Sequence, residues 1–201
     1  MVMKKRYFLT LFFLLFLVKP LFSQEKQSVR YKGAGIGMYF CNSYPAGNWK
    51  EYIKTSLGCG LYLDYVLPFN LPKFDIGINI KEDWSFVTPK KENINSILDF
   101  TFLPGVYIRI PFCIGNFKGA FVPDLSYGLS IHNVYGNKDS NISGFYFDQL
   151  IGITTGFRFC IPYFEKLEID TSHVSTFVFE DSNVITQVGF RIGFVYHFEM
   201  K

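Results

Sequence analysis

Eight stretches of this chain alternate apolar residues with polar or very small ones, position by position, and most run for ten residues or more. Successive side chains of a β-strand point to opposite faces, so each stretch reads as a strand with one greasy face and one polar face. The stretches are Gly33 to Cys41, Leu57 to Leu67, Phe74 to Lys81, Asp99 to Ile110, Phe117 to Ile131, Phe147 to Phe159, Leu167 to Phe179 and Gln187 to Phe198. The seventh is the least regular. The last shows the pattern plainly: Val188, Phe190, Ile192, Phe194, Tyr196 and Phe198 on one face, Gln187, Gly189, Arg191, Gly193 and His197 on the other. Strands of soluble proteins usually run for about 5–6 residues. Strands that cross a bilayer need about 9–11.

The polar faces are unlike a surface that meets bulk water. They carry single charges of both signs separated by glycines, and hardly any lysine. A narrow polar lumen needs small residues for room and opposite charges for mutual neutralisation. Asp64, Asp99, Asp124 and Asp148 are therefore expected to pair inside with Arg109, Arg158 and Arg191. The glycines of Tyr31 to Gly37 make room in the same lumen; with no helix after them they are no phosphate cradle. A soluble lipocalin-like barrel would invert the two faces, apolar inside and polar outside. Strand length and face composition favour the membrane barrel.

Residues 1–23 read as a secretory signal peptide, with cleavage after Ser23. Three cations precede twelve uncharged residues, Tyr7 to Val18, too few to span a bilayer as a helix. Residues 24–201 form one barrel domain. The formal net charge of +3 comes from this leader. Without Lys4, Lys5, Arg6 and Lys19, 16 basic side chains face 17 acidic ones, which excludes a generally basic protein and argues against nucleic acid as a partner.

The connections carry a second pattern. Short links at Pro68 to Pro72, Pro111 to Gly115 and Ile161 to Phe164 each hold a proline followed closely by an aromatic. Longer polar segments fall between them, at Ser43 to Thr55, Asp83 to Ser96 and His132 to Gly144, with a short one at Asp181 to Asn183. Tight turns alternating with longer loops are the pattern of an outer-membrane barrel.

On these features the chain resembles the small outer-membrane β-barrel proteins of Gram-negative bacteria, the eight-stranded OmpA-, OmpX- and PorT-like group. The resemblance covers all of residues 24–201 and implies an all-β fold: an eight-stranded antiparallel up-and-down transmembrane barrel with both termini in the periplasm. It also implies a partner. In that group a terminal aromatic in alternating register is read by the barrel-assembly machinery, and here Phe198 ends the alternation, followed by Glu199, Met200 and Lys201. An eight-stranded barrel fills with side chains and does not conduct. The function expected is a structural or loop-mediated interaction role in the outer membrane, porin-like in architecture without being a wide pore. A PorT-like accessory role in a secretion machine is an alternative.

Two sets of residues carry candidate chemistry. Four cysteines lie in an oxidising compartment. A bridge between Cys113 and Cys160, both in expected turns, is one reading; four unpaired thiols is the other. Cys41 is expected to point inward and Cys59 outward. No cofactor is expected: no CxxC occurs, and His132, His173 and His197 lie in different elements without metal spacing. The other set is His173-Val174-Ser175, which puts a base and a hydroxyl on the lipid face of the seventh strand. It resembles the His-x-Ser of the PagL-type lipid A deacylases, an alternative function. Thr176 stands where that group has asparagine, and no acid stands on strand eight, where Gln187 is found. Without an acid to orient the imidazole the expectation is a non-enzyme.

Overall fold

Alternation and glycine-rich polar faces produce strands throughout. A computed structural model describes residues 29–69, 71–90, 92–136, 143–180 and 183–200. The expected signal peptide, residues 1–23, lies outside the described residues. The strands are β1 (Tyr31–Ala46), β2 (Ile53–Val66), β3 (Asp75–Pro89), β4 (Ile94–Ile114), β5 (Phe117–Gly136), β6 (Gly144–Ile161), β7 (Phe164–Glu180) and β8 (Asn183–Met200). One 3-10 turn, Gly47–Glu51, joins β1 to β2. Each strand pairs antiparallel with the next, and β8 pairs with β1 to close the barrel.

The register fixes the barrel's width. Pairing runs from Gly35 to Asp64, Asn79, Gly105, Ser126, Gly152, Thr176 and Gln187, and returns to β1 at Pro45, ten residues beyond its start. Eight strands with that stagger tilt by about 35–45° and leave an interior just wide enough for side chains. The end holding Tyr31 and Met200 is called the base, and the opposite end the rim.

The faces sort as membrane-barrel faces do. The outer wall exposes Met38, Phe40, Leu63, Phe86 and Phe190, with Phe40 and Phe86 each 70% exposed. The inside buries Asp64, Lys81, Asp124, Arg109, Arg158 and Glu168. A soluble lipocalin-like barrel needs the reverse. Aromatics collect at both ends of the outer wall, among them Phe117 and Phe164 at the base and Tyr44, Phe86 and Phe145 at the rim.

The expected loops are corrected at three places. β3 continues to Pro89 and β4 begins at Ile94, so most of Asp83 to Ser96 is strand. β1 runs on to Ala46, and β5 runs through His132 to Gly136. Polar residues in these segments stay in the ladder because their inward members find partners, Asp83 with Arg191 across the lumen and His132 with Asp99 and Asp148 on the strands either side of it. At the base, the links shrink to Gly115-Asn116 and Pro162-Tyr163, while Pro68 to Pro72 lies in a longer connection between Val66 and Asp75. Gly115 supplies the positive φ (59°) that its tight turn requires.

Candidate functional site

The barrel offers two places where chemistry could reside: the lumen, and the outward patch around His173.

At the base, Arg109 from β4 is fully buried. Its Nη2 donates to Glu168 Oε1 at 2.7 Å, and its Nη1 to the Val29 carbonyl at 2.9 Å. The other oxygen of Glu168 lies 2.9 Å from His197 Nε2. The Tyr31 ring stacks on His197 at 3.7 Å between centroids, with the Arg109 guanidinium 4.6 Å from its own centroid. Tyr31 OH donates to the Glu165 carbonyl. Val29, Tyr31, Val66, Tyr107, Ala120 and Val122 form a buried apolar cluster at the base beside this set.

Above it, Arg158 from β6 joins two carboxylates, Asp64 at 2.7 Å and Asp170 at 3.0 Å, between the rings of Tyr62 and Tyr107. Lys81 pairs with Asp124 and donates to Ser126 Oγ at 2.8 Å, and Asn79 also donates to Asp124. Arg191 reaches Asp83 at 2.6 Å while lying over the Tyr39 ring; Tyr39 OH and Thr101 Oγ1 donate to the same carboxylate. Near the rim, His132 stands between Asp99 at 2.7 Å and Asp148 at 3.3 Å. Two aliphatic groups close that half: Leu103, Leu150, Val178 and Ile185, and Ile53, Val87, Ile97 and Val134. Buried charges are tolerated only when paired and hydrogen-bonded, and this interior supplies the pairs.

Glycine makes the packing possible at two cross-strand pairs. A Cβ on Gly37 would lie 2.4 Å from the Tyr62 ring, and one on Gly77 would lie 2.2 Å from the Tyr107 ring. These glycines let the two rings lie flat across the lumen. Among the described residues, cavities of about 60 and 40 Å³ lie within the barrel, lined in part by Asp83 and His132, and by Lys81 and Arg158. Each has room for a few water molecules, not for a passing solute.

The expected charge network is distributed differently from the pairing read in the sequence. Asp64 and Arg158 meet directly. Arg109 takes Glu168, Arg191 takes Asp83, Asp124 takes Lys81, and Asp99 and Asp148 share His132. Glu168 and Asp170 were readable by parity, standing opposite in face to Leu167 and Ile169. Asp83 and His132 were assigned to loops, and the extended strands bring them inside.

The Cys113–Cys160 bridge is not formed: all four cysteines are free. Cys113 is on β4 and Cys160 on β6, with β5 between them. Cys113 Sγ donates to the Gly115 carbonyl at 3.3 Å, and Cys160 Sγ lies 3.4 Å from Tyr31 OH and 3.6 Å from Glu168. Cys41 packs inward with Tyr39 and Tyr62, and Cys59 is exposed on the outer wall.

On the outer wall, His173 is exposed and Ser175 half-buried. His173 lies opposite Thr155 on β6 and Phe190 on β8, with the Phe190 ring edge-on at 5.6 Å. Ser175 lies opposite Ile153 and Val188. The outward position on β8 beside Ser175 is thus Val188, not Gln187. Gln187 faces the lumen, where its Oε1 accepts from Ser43 at 3.1 Å. No hydrogen bond joins His173 to Ser175 or to a carboxylate among the described residues, so the imidazole has a neighbouring hydroxyl but no acid to fix its tautomer.

No protein-family model and no curated protein matches the chain. Solved structures do. Neisserial surface protein A is 10% identical at a TM-score of 0.53, covering 83% of this chain and 98% of its own. The outer membrane protein OprG from Pseudomonas aeruginosa is 12% identical at 0.50, covering 85% and 98%. The outer membrane enzyme PagL is 10% identical at 0.46, covering 80% and 99%, a likeness too distant to bear on activity. At these identities the likeness concerns architecture. The chain has the fold of the small eight-stranded outer-membrane β-barrels.

Proposed function

We propose that this protein is an integral outer-membrane barrel whose role is structural or exercised through its rim loops and outer wall, and that it neither conducts solutes nor hydrolyses lipid. The observation that carries this reading is the interior: paired charges closed off by apolar side chains at the base and towards the rim. In this reading both termini lie in the periplasm, residues 1–23 are removed on export, and the barrel-assembly machinery engages β8 through the outward aromatics that end at Phe198. The missing acid beside His173 and Ser175 supports the non-enzyme reading.

The test is reconstitution. Purified protein should show heat-modifiable mobility on a detergent gel, because a closed barrel resists detergent until boiled. In planar bilayers it should give no steady conductance, and liposomes holding it should stay impermeable to a monosaccharide. Sugar entry into those liposomes would contradict the sealed lumen. Loss of an ester-linked acyl chain from co-reconstituted lipid A, abolished by His173→Ala and by Ser175→Ala, would make it an enzyme.

A further inference from the structure

The outer wall carries an acidic residue where the membrane reading places lipid. The outward positions of β3 run from Ile76 to Thr88 at every second residue, and Glu82 is the middle one of these seven. Its cross-strand neighbours are Leu61 and Phe102, both exposed apolar side chains. No hydrogen bond or ion pair joins the Glu82 carboxylate to another described residue. An ionisable group on a lipid face is costly and marks a functional contact by default.

A complementary patch lies across the barrel. The outward positions of β7 run from Leu167 to Phe179, and His173 is the middle one of those seven. Thr171 and Ser175 flank it, and Thr155 faces it from β6. Thr171 Oγ1 already donates to the Phe157 carbonyl at 3.4 Å, which leaves the imidazole N–H and the hydroxyls of Ser175 and Thr155 to donate to a carboxylate.

The register sets the two at one depth. Four pairing steps from Glu82 lead through Phe102, Leu129 and Gln149 to Phe179. Four steps the other way lead through Leu61, Met38 and Phe194 to Ile169. Both routes end on β7, so β3 and β7 are diametrically opposed. The pairing direction climbs one way round and descends the other by equal amounts. The level of Glu82 is therefore midway between Ile169 and Phe179, at position 174, between His173 and Ser175.

One barrel cannot bring these two faces together, but two barrels standing side by side in the same orientation do. We propose that copies of this protein associate laterally in the membrane, the Glu82 face on β3 of one copy docking on the His173 patch on β7 of the next; this rests on the membrane reading above. A hydrogen-bonded carboxylate–imidazole contact gives the Glu82 carboxylate a donor and takes both polar groups out of contact with lipid. Since the two surfaces differ and lie on opposite sides, the contact does not close on itself and builds rows.

Cross-linking in liposomes tests this with Glu82 and His173 left in place. In a Cys59→Ser background, Ile80→Cys and Thr171→Cys on one chain should give an oxidation ladder of dimers, trimers and longer species. Either cysteine alone should give none. Adding Glu82→Gln or His173→Ala should cut the ladder about tenfold, and Glu82→His with His173→Glu should restore it. Heat-modifiable mobility checks the fold of every variant. A folded chain without a ladder, dimers from a single cysteine, or a ladder indifferent to Glu82→Gln overturns the proposal and leaves the membrane reading intact. A chain that is not heat-modifiable overturns both.

Discussion

The base and the rim of this barrel solve the same problem by different means. At the base, a guanidinium with no exposure is locked to a carboxylate with none, and a histidine, a tyrosine ring and a backbone carbonyl complete the set. At the rim, a histidine stands between two aspartates that keep some exposure, 8% and 14%, and aliphatic side chains do most of the filling. The base is cross-linked by a fully buried pair whose members each hold a second partner, His197 on Glu168 and the Val29 carbonyl on Arg109. The rim is held by contacts that can each be lost singly. A barrel built this way buries its charges more completely at the base than at the rim.

Breaking the base should therefore cost most. Glu168→Gln leaves Arg109 buried without its counter-charge, and is expected to destabilise by about 3–5 kcal/mol in urea unfolding from detergent micelles. Glycine substitution asks the same question sterically. Gly77→Ala drives a methyl into the Tyr107 ring and should cost about 1–3 kcal/mol. Gly152→Ala, higher in the lumen, meets nothing closer than 3.6 Å, and should change stability by no more than about 0.5 kcal/mol. At the rim, Asp148→Asn leaves His132 its bond to Asp99 and should cost below about 1.5 kcal/mol. Equal losses for Glu168→Gln and Asp148→Asn would abolish the distinction between the two ends.

How far the sequence revealed this varies with depth in the barrel. From the base through the middle, alternation is strict and parity alone assigned Asp64, Arg109, Asp124, Arg158 and Arg191 to the lumen. Partners were harder to read than faces. Arg109 and Glu168 are 59 residues apart and meet only after four strands have curled round, so no local spacing pairs them. The rim was misread for a different reason. The rim end of β3, whose inward side chains include Asp83 and Ser85, has the composition of a polar loop, and only Arg191 across the lumen tells the two apart, whereas parity had already placed Asp99 and Asp148 in the lumen. On the outer wall the His173-x-Ser175 motif was legible, but the identity of its neighbours depends on the β7–β8 register, which placed Val188 and Phe190 there.

The central claim is that the wall facing lipid is the apolar one and the lumen is the charged one. The chain has two tryptophans, and Trp84 points outward from β3, against Phe100 at 5.8 Å. In a Trp49→Phe variant, Trp84 becomes the sole tryptophan reporter. Reconstituted in brominated phosphatidylcholine, its fluorescence should be strongly quenched by the lipid bromines and little affected by aqueous iodide. Emission quenched by iodide and indifferent to brominated lipid would mean that the faces are inverted, and with them the whole account.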